Sequence, residues 1–129
     1  KKKSSGRSLK VLVAEDDEGW RELLGFWLKQ AGYEVTLCSD GLGVMPAARQ
    51  DPPQGFVLDF DLGDITGGAL CRALKQDPAF KDKPVVILTA NAQSLPGLLS
   101  EAHPPDQFVA KSQDPFELLN VLELLLPRP

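Results

Sequence analysis

The sequence predicts an α/β fold in which a doubly wound parallel sheet is covered by helices on both faces. Three observations carry that expectation: five short apolar runs recur along the chain, amphipathic helical patterns lie between them, and the connections are short. Parallel strands joined through helices must cross over, and such crossovers are almost always right-handed. The helices are then shared between the two faces of one sheet. At 129 residues, with 43% hydrophobic and 25% charged residues, the chain has the length and composition of one globular domain.

The elements follow in order. Residues 1–8 (KKKSSGRS) are basic and polar without apolar periodicity, as in a flexible tail or linker, so the domain is expected over 9–126 with a short tail at 127–129. KVLVA at 10–14 reads as the first strand. Trp20, Leu23, Leu24, Trp27, Leu28 and Ala31 then recur at helical spacing, with Asp17 placed as N-cap and Gly32 as C-cap. EVTLC at 34–38 is the second strand, followed by Ser39 and Asp40, which are placed to cap a helix within 41–50. Pro46 fits that helix only near a delayed start.

GFVLDF at 55–60 is the third strand, GGALCRALKQ at 67–76 a helix, and PVVILT at 84–89 the fourth strand. Ser94–Asp106 should hold a fourth helix, short or irregular, because Pro96, Gly97, Pro104 and Pro105 leave room for about two turns. QFVA at 107–110 is the fifth strand, and PFELLNVLELLL at 115–126 the last helix, with Asp114 as cap and Pro115 at its first position.

Charge narrows the function classes. The chain carries 14 basic and 18 acidic residues, a net charge of −4, and four of the basic residues lie in the first seven positions. The remainder is therefore net −8, which argues against nucleic acid as a direct ligand, since phosphate contacts need clustered Lys and Arg. No apolar run approaches the roughly 18–20 residues of a membrane span, and the start lacks a secretory apolar region, so a cytoplasmic protein without a membrane partner is expected. Cys38 and Cys71 have apolar neighbours and no metal-ligand spacing, as buried reduced thiols do.

In an open doubly wound sheet, ligands bind at the carboxyl ends of the strands. There the sequence places Glu15, Asp16 and Asp17 after the first strand, Asp59 at the end of the third with Asp61 beyond it, Thr89 at the end of the fourth and Lys111 after the fifth. Carboxylates converging on one edge repel each other unless a cation is bound, and an all-oxygen donor set favours Mg²⁺ or Ca²⁺, with Mg²⁺ the better fit. A hydroxyl and an ammonium are the donors that surround a phosphoryl group, and a carboxylate such as Asp59 can attack phosphorus. The set points to phosphoryl transfer onto aspartate, which relies on positioning and charge neutralisation and needs no histidine. The sole histidine, His103, lies beside two prolines and is expected to be exposed and without a role.

On four motifs, VLVAEDD (11–17), LDFDLGDITGG (58–68), VILTA (86–90) and FVAKS (108–112), the chain resembles the CheY-like receiver domain of two-component response regulators. Their spacing agrees as well: 43 residues from Asp16 to Asp59, 30 on to Thr89 and 22 on to Lys111. The resemblance implies a flavodoxin-like (βα)5 fold with strand order 2-1-3-4-5. It implies that Asp59 takes a phosphoryl group from a phosphohistidine of a sensor histidine kinase or histidine phosphotransfer protein, and that the domain then switches conformation. Asp16 and Asp59 would hold Mg²⁺ directly, Glu15 would assist, and the backbone carbonyl of Asp61 would complete the protein ligands. Thr89 and Lys111 would contact the phosphoryl oxygens, small Ala90 would leave access, and Phe108 would be the switch aromatic that moves with Thr89. Such a domain turns over no external substrate and catalyses only its own phosphorylation and dephosphorylation.

Two departures stand out. Ser112 replaces the family's usual proline after the lysine; a cis non-proline bond costs about 3 kcal/mol, so a trans Lys111–Ser112 bond and a rearranged loop are expected. Gly63 replaces a second usual proline, which makes the turn after Asp59 more flexible, and Asp64 beside it reads as a turn residue. Phe26 should face outward on the first helix, either as a surface aromatic or, since that helix meets the histidine-bearing bundle in this family, as a partner-docking residue. The last helix has more apolar residues than one buried stripe needs, which suits a homodimer, an interdomain contact or a frayed final turn. The alternative function is a pseudo-receiver acting as a constitutive protein-binding module. A phosphatase of the haloacid dehalogenase type would need a DxD pair after the first strand, and AEDD does not supply it.

Overall fold

The structure, a computed structural model, describes residues 9–90, 102–112 and 114–126. The strands are β1 (Lys10–Ala14), β2 (Glu34–Cys38), β3 (Gly55–Asp59), β4 (Val85–Thr89) and β5 (Gln107–Ala110); the helices are α1 (Glu18–Gln30), α2 (Val44–Gln50), α3 (Gly67–Lys75) and α4 (Phe116–Leu125). All neighbouring strands pair in parallel, in the order β2-β1-β3-β4-β5. This is the flavodoxin-like arrangement expected. The tails at 1–8 and 127–129 lie outside the described residues, as does 94–101 of the stretch expected to form a fourth helix. Its described remainder, Ala102–Asp106, carries no helix, and the last helix of the sequence reading is α4.

Side chains alternate across each strand, so the sheet separates two cores. Leu12, Phe56, Leu58, Val85 and Ile87 meet Val44 and Ala48 of α2 and Leu70, Cys71 and Leu74 of α3. On the other face Val11, Val13, Val57, Val86, Leu88 and Val109 meet Leu24 and Leu28 of α1 and Leu118 and Leu122 of α4. β3 and β4 are buried along their whole length, whereas the edge strands β2 and β5 are only partly covered. Cys38 and Cys71 are buried free thiols, and burial pushes the Cys71 thiol up to about 11.

The helix ends follow local chemistry. Asp17 caps α1 by accepting from Trp20 N at 2.9 Å. At the other end Ala31, not Gly32, is the C-cap. Gly32 follows it, with Gly32 N donating to Lys29 O (3.0 Å) and Tyr33 N to Leu28 O (3.1 Å), the bond pair of a Schellman motif. α2 starts at Val44, late enough to place Pro46 in its first turn. α4 begins one residue later than the sequence suggested. Pro115 already has helical backbone angles, and Asp114 accepts from Phe116 N at 2.9 Å. No helix among the described residues is long and apolar enough to cross a membrane.

Candidate active site

Sheet order decides which loops meet. β1 and β3 are central neighbours, β4 lies beside β3 and β5 beside β4, so the residues leaving these strands share one edge. Glu15 continues the β1 ladder for one residue, its N–H donating to Cys38 O, and its side chain is fully buried. Asp59 ends β3 and is also buried, while Asp16 is exposed. Thr89 ends β4 as a buried residue, and its carbonyl accepts from Lys111 N at 2.8 Å. Gly67 lets α3 start close to the site: a Cβ there would lie 2.7 Å from the Asp59 carbonyl oxygen.

One carboxylate oxygen each from Glu15, Asp16 and Asp59 lies within 4.8 Å of the others. Lys111 Nζ stands 2.7 Å from Glu15 Oε1 and 3.4 Å from Asp59 Oδ1. The Glu15 contact is an ion pair without hydrogen-bond alignment, so that oxygen lacks a well-directed donor. Burial pushes the Glu15 carboxyl up to about 7; Lys111 and the Asp17 N–H pull it back, and the Asp59 charge adds to the rise. Asp59 is raised as well, by burial first, against the opposing pull of Lys111. Burial works to lower Lys111, but its close contact with Glu15 and the charges of Asp59 and Glu15 prevail and raise it.

This donor set fits Mg²⁺. It is all oxygen, it carries more negative charge than Lys111 offsets, and two of its carboxyls are buried and hold their protons more tightly than usual, which a bound cation would reverse. Asp61 lies on the adjoining turn, outside the three-carboxylate group. Its side chain accepts from Gly63 N at 3.2 Å. Gly63 has φ +85°, and a Cβ there would come within 3.8 Å of Asp16 Oδ2, so this turn lies against the acid group. A left-handed residue explains why glycine stands where proline is usual.

Phe108 pairs with Ile87 in β5 and is half-buried against the α2–α3 core. Phe26 is 58% exposed, as its helical position implied. His103 is half-buried, not exposed, and its carbonyl accepts from the Cys71 thiol. Among the described residues there is no cis peptide, as expected at Lys111–Ser112, and Ser112 Oγ accepts from Asp114 N in the rebuilt loop. Asp64 does more than shape a turn: its carboxylate accepts from Gly41 N (3.0 Å) and Leu42 N (2.9 Å), which ties the loop after β3 to the loop after β2. Sequence reasoning also passed over Arg21, whose guanidinium donates to Glu15 O at 2.9 Å. Its place one turn into a helix that starts at the acids was the available signal.

The family description "Response regulator receiver domain" matches residues 11–123. The transcriptional regulatory protein CreB of Escherichia coli (strain K12) is 36% identical over 119 residues, covering 92% of this chain and 51% of CreB. The chain spans about half the length of the curated relatives it matches. Among solved structures, a putative response regulator from Chloroflexus aurantiacus superposes with a TM-score of 0.86 at 27% identity, covering 95% of this chain and 100% of that one. The response regulator TrrA of Thermotoga maritima, solved in complex with Mg²⁺ and BeF, gives a TM-score of 0.82 at 26% identity over 92% of this chain and 99% of TrrA. With the fold and the acid group in place, the chain belongs to the response regulator receiver domains of two-component signalling. As a domain of that family it is a phosphoacceptor with Mg²⁺ as cofactor, and it acts on its own aspartate.

Proposed function

We propose that Asp59 accepts a phosphoryl group from a phosphohistidine of a sensor histidine kinase or histidine phosphotransfer protein, and that the domain then changes conformation through Thr89 and Phe108. The observation that carries this reading is the buried Asp59 carboxylate, 3.4 Å from Lys111 Nζ and grouped with Glu15 and Asp16. An Asp59 oxygen attacks phosphorus in line; the new O–P bond forms as the P–N bond breaks, and the imidazole nitrogen leaves with the electron pair. Asp16, Asp59, Glu15 and the Asp61 carbonyl would hold Mg²⁺, which when bound neutralises charge on the phosphoryl oxygens. The Lys111 ammonium and the Thr89 hydroxyl orient those oxygens, and exposed Ala90 leaves the approach open.

The proposal extends to a receiver spanning 9–126 between short tails, to a cytoplasmic location and to two contact surfaces. Phe26 on α1, 58% exposed, suits the docking of the kinase or phosphotransfer helix, and Phe116 and Leu124 on α4, 68% and 85% exposed, suit a homodimer or interdomain contact. Beryllofluoride tests the switch. With Mg²⁺ it should shift tryptophan emission, and the shift should be lost in Asp59→Asn. A wild-type protein with no Mg²⁺-dependent response would favour the constitutive binding module.

A further inference from the structure

We propose that Trp20 is a positioning residue for Lys111. This deepens the phosphoacceptor reading and rests on it for its kinetic part. Lys111 Nζ lies over the Trp20 ring, 5.1 Å from the centroid, while it reaches Glu15 at 2.7 Å and Asp59 at 3.4 Å. An ammonium over an indole face is attracted by the ring quadrupole, and the attraction grows as water is removed. Both side chains are partly buried, so the contact falls between the exposed and the desolvated limits.

The ring is itself held in place. Trp20 meets Trp27 edge to face, with centroids 6.4 Å apart and planes at 79°, and both rings pack on the core between α1 and α4. Trp20, Leu24, Trp27 and Leu118 line a narrow groove that also takes in Lys111 and Ser112. The chain after Lys111 has Ser112 where a rigid proline would stand, so backbone stiffness contributes less to aiming the lysine. The Trp20 face supplies the missing constraint. It confines a side chain with four rotatable bonds and so reduces the entropy lost when Lys111 meets a phosphoryl group.

The inference is tested with acetyl phosphate as a small phosphodonor at saturating Mg²⁺, together with the NMR signal of the Lys111 ε-methylene. In the wild-type protein that signal should lie upfield through the ring current of Trp20, and it should return to its ordinary position in Trp20→Leu. Phosphorylation of Trp20→Leu at saturating donor should be slower by about fivefold. Trp20→Phe keeps an aromatic face and should recover most of that rate, and Mg²⁺ affinity should stay the same in both variants. In a Lys111→Ala background, Trp20→Leu should cause no further loss. An ordinary ε-methylene shift in the wild-type protein, or an equal Trp20→Leu loss without Lys111, would overturn the inference. If the wild-type protein took up no phosphoryl group at all, the phosphoacceptor reading would fail, and the ring-current shift would still decide the role of Trp20. If Trp20→Leu did not fold, the wild-type shift and the Trp20→Phe rate would decide it.

Discussion

Glu15 sets the charge balance of the acid group, because it is the fully buried carboxyl among the three. Burial raises it from its ordinary value of 4.5 to about 7. A carboxyl raised on folding binds its proton more tightly in the folded state. Its stabilising contribution is therefore complete below about 4.5 and is lost as pH rises through about 7. Metal-free protein should lose stability across that window, and Mg²⁺ should bind more weakly on its acid side, where it competes with the proton. Urea denaturation at about pH 5 and about pH 8 without Mg²⁺ measures the first effect, and Glu15→Gln should shrink the difference; an unchanged pH dependence in that variant would contradict the assignment. At Lys111, replacement by Ala should leave Mg²⁺ binding in place and reduce the phosphorylation-induced change, and unchanged activation would show the lysine to be idle. The placing of Asp59, Thr89 and Lys111 at one sheet edge was legible in the sequence, because the first two close strands and the third follows one directly. The Trp20 contact and the Arg21 bond to the Glu15 carbonyl were not, since both depend on how α1 is rolled against the sheet.

At the scale of elements, the turn between β3 and α3 is held from two sides. Asp64 ties it to the loop after β2, and backbone hydrogen bonds from Leu42 and Gly41 lower the Asp64 carboxyl below its ordinary value. Asp64→Ala should free the turn that carries Asp61 and weaken Mg²⁺ binding by about tenfold, the low end for loss of an outer support of a metal site. A titration followed by tryptophan emission checks this, and an unchanged affinity would reduce the tie to a surface contact. Gly67 is the second constraint: Gly67→Ala places a methyl 2.7 Å from the Asp59 carbonyl and should cost about 1–3 kcal/mol in urea denaturation. The sequence suggested only a turn at Asp64, because the partner amides lie 22 and 23 residues away and nothing local indicates them. All five strands, α3 and the last helix kept their expected positions within one residue at each end. Pro, Gly and polar residues mark these boundaries in the chain itself.

At the scale of the whole molecule, the parallel sheet buried on both faces follows from near-continuous apolar runs in β3 and β4. Phe56 has no exposed surface and meets Phe80 edge to face, so Phe56→Ala should cost about 3–5 kcal/mol. Leu124, 85% exposed on α4, tests the larger assembly: if α4 forms a dimer face, Leu124→Glu should lower the mass found by sedimentation, and an unchanged mass would remove Leu124 from any contact. Part of the net charge of −4 gathers at the strand ends, where Glu15, Asp16 and Asp59 come together and Lys111 meets Glu15 and Asp59. The central claim is that Asp59 is the phosphoacceptor. Its most direct test is intact-mass measurement after treatment with acetyl phosphate, with and without Mg²⁺. The account predicts the mass of one added phosphoryl group that requires Mg²⁺ and disappears in Asp59→Asn; no added mass, or the same added mass in Asp59→Asn, would contradict it.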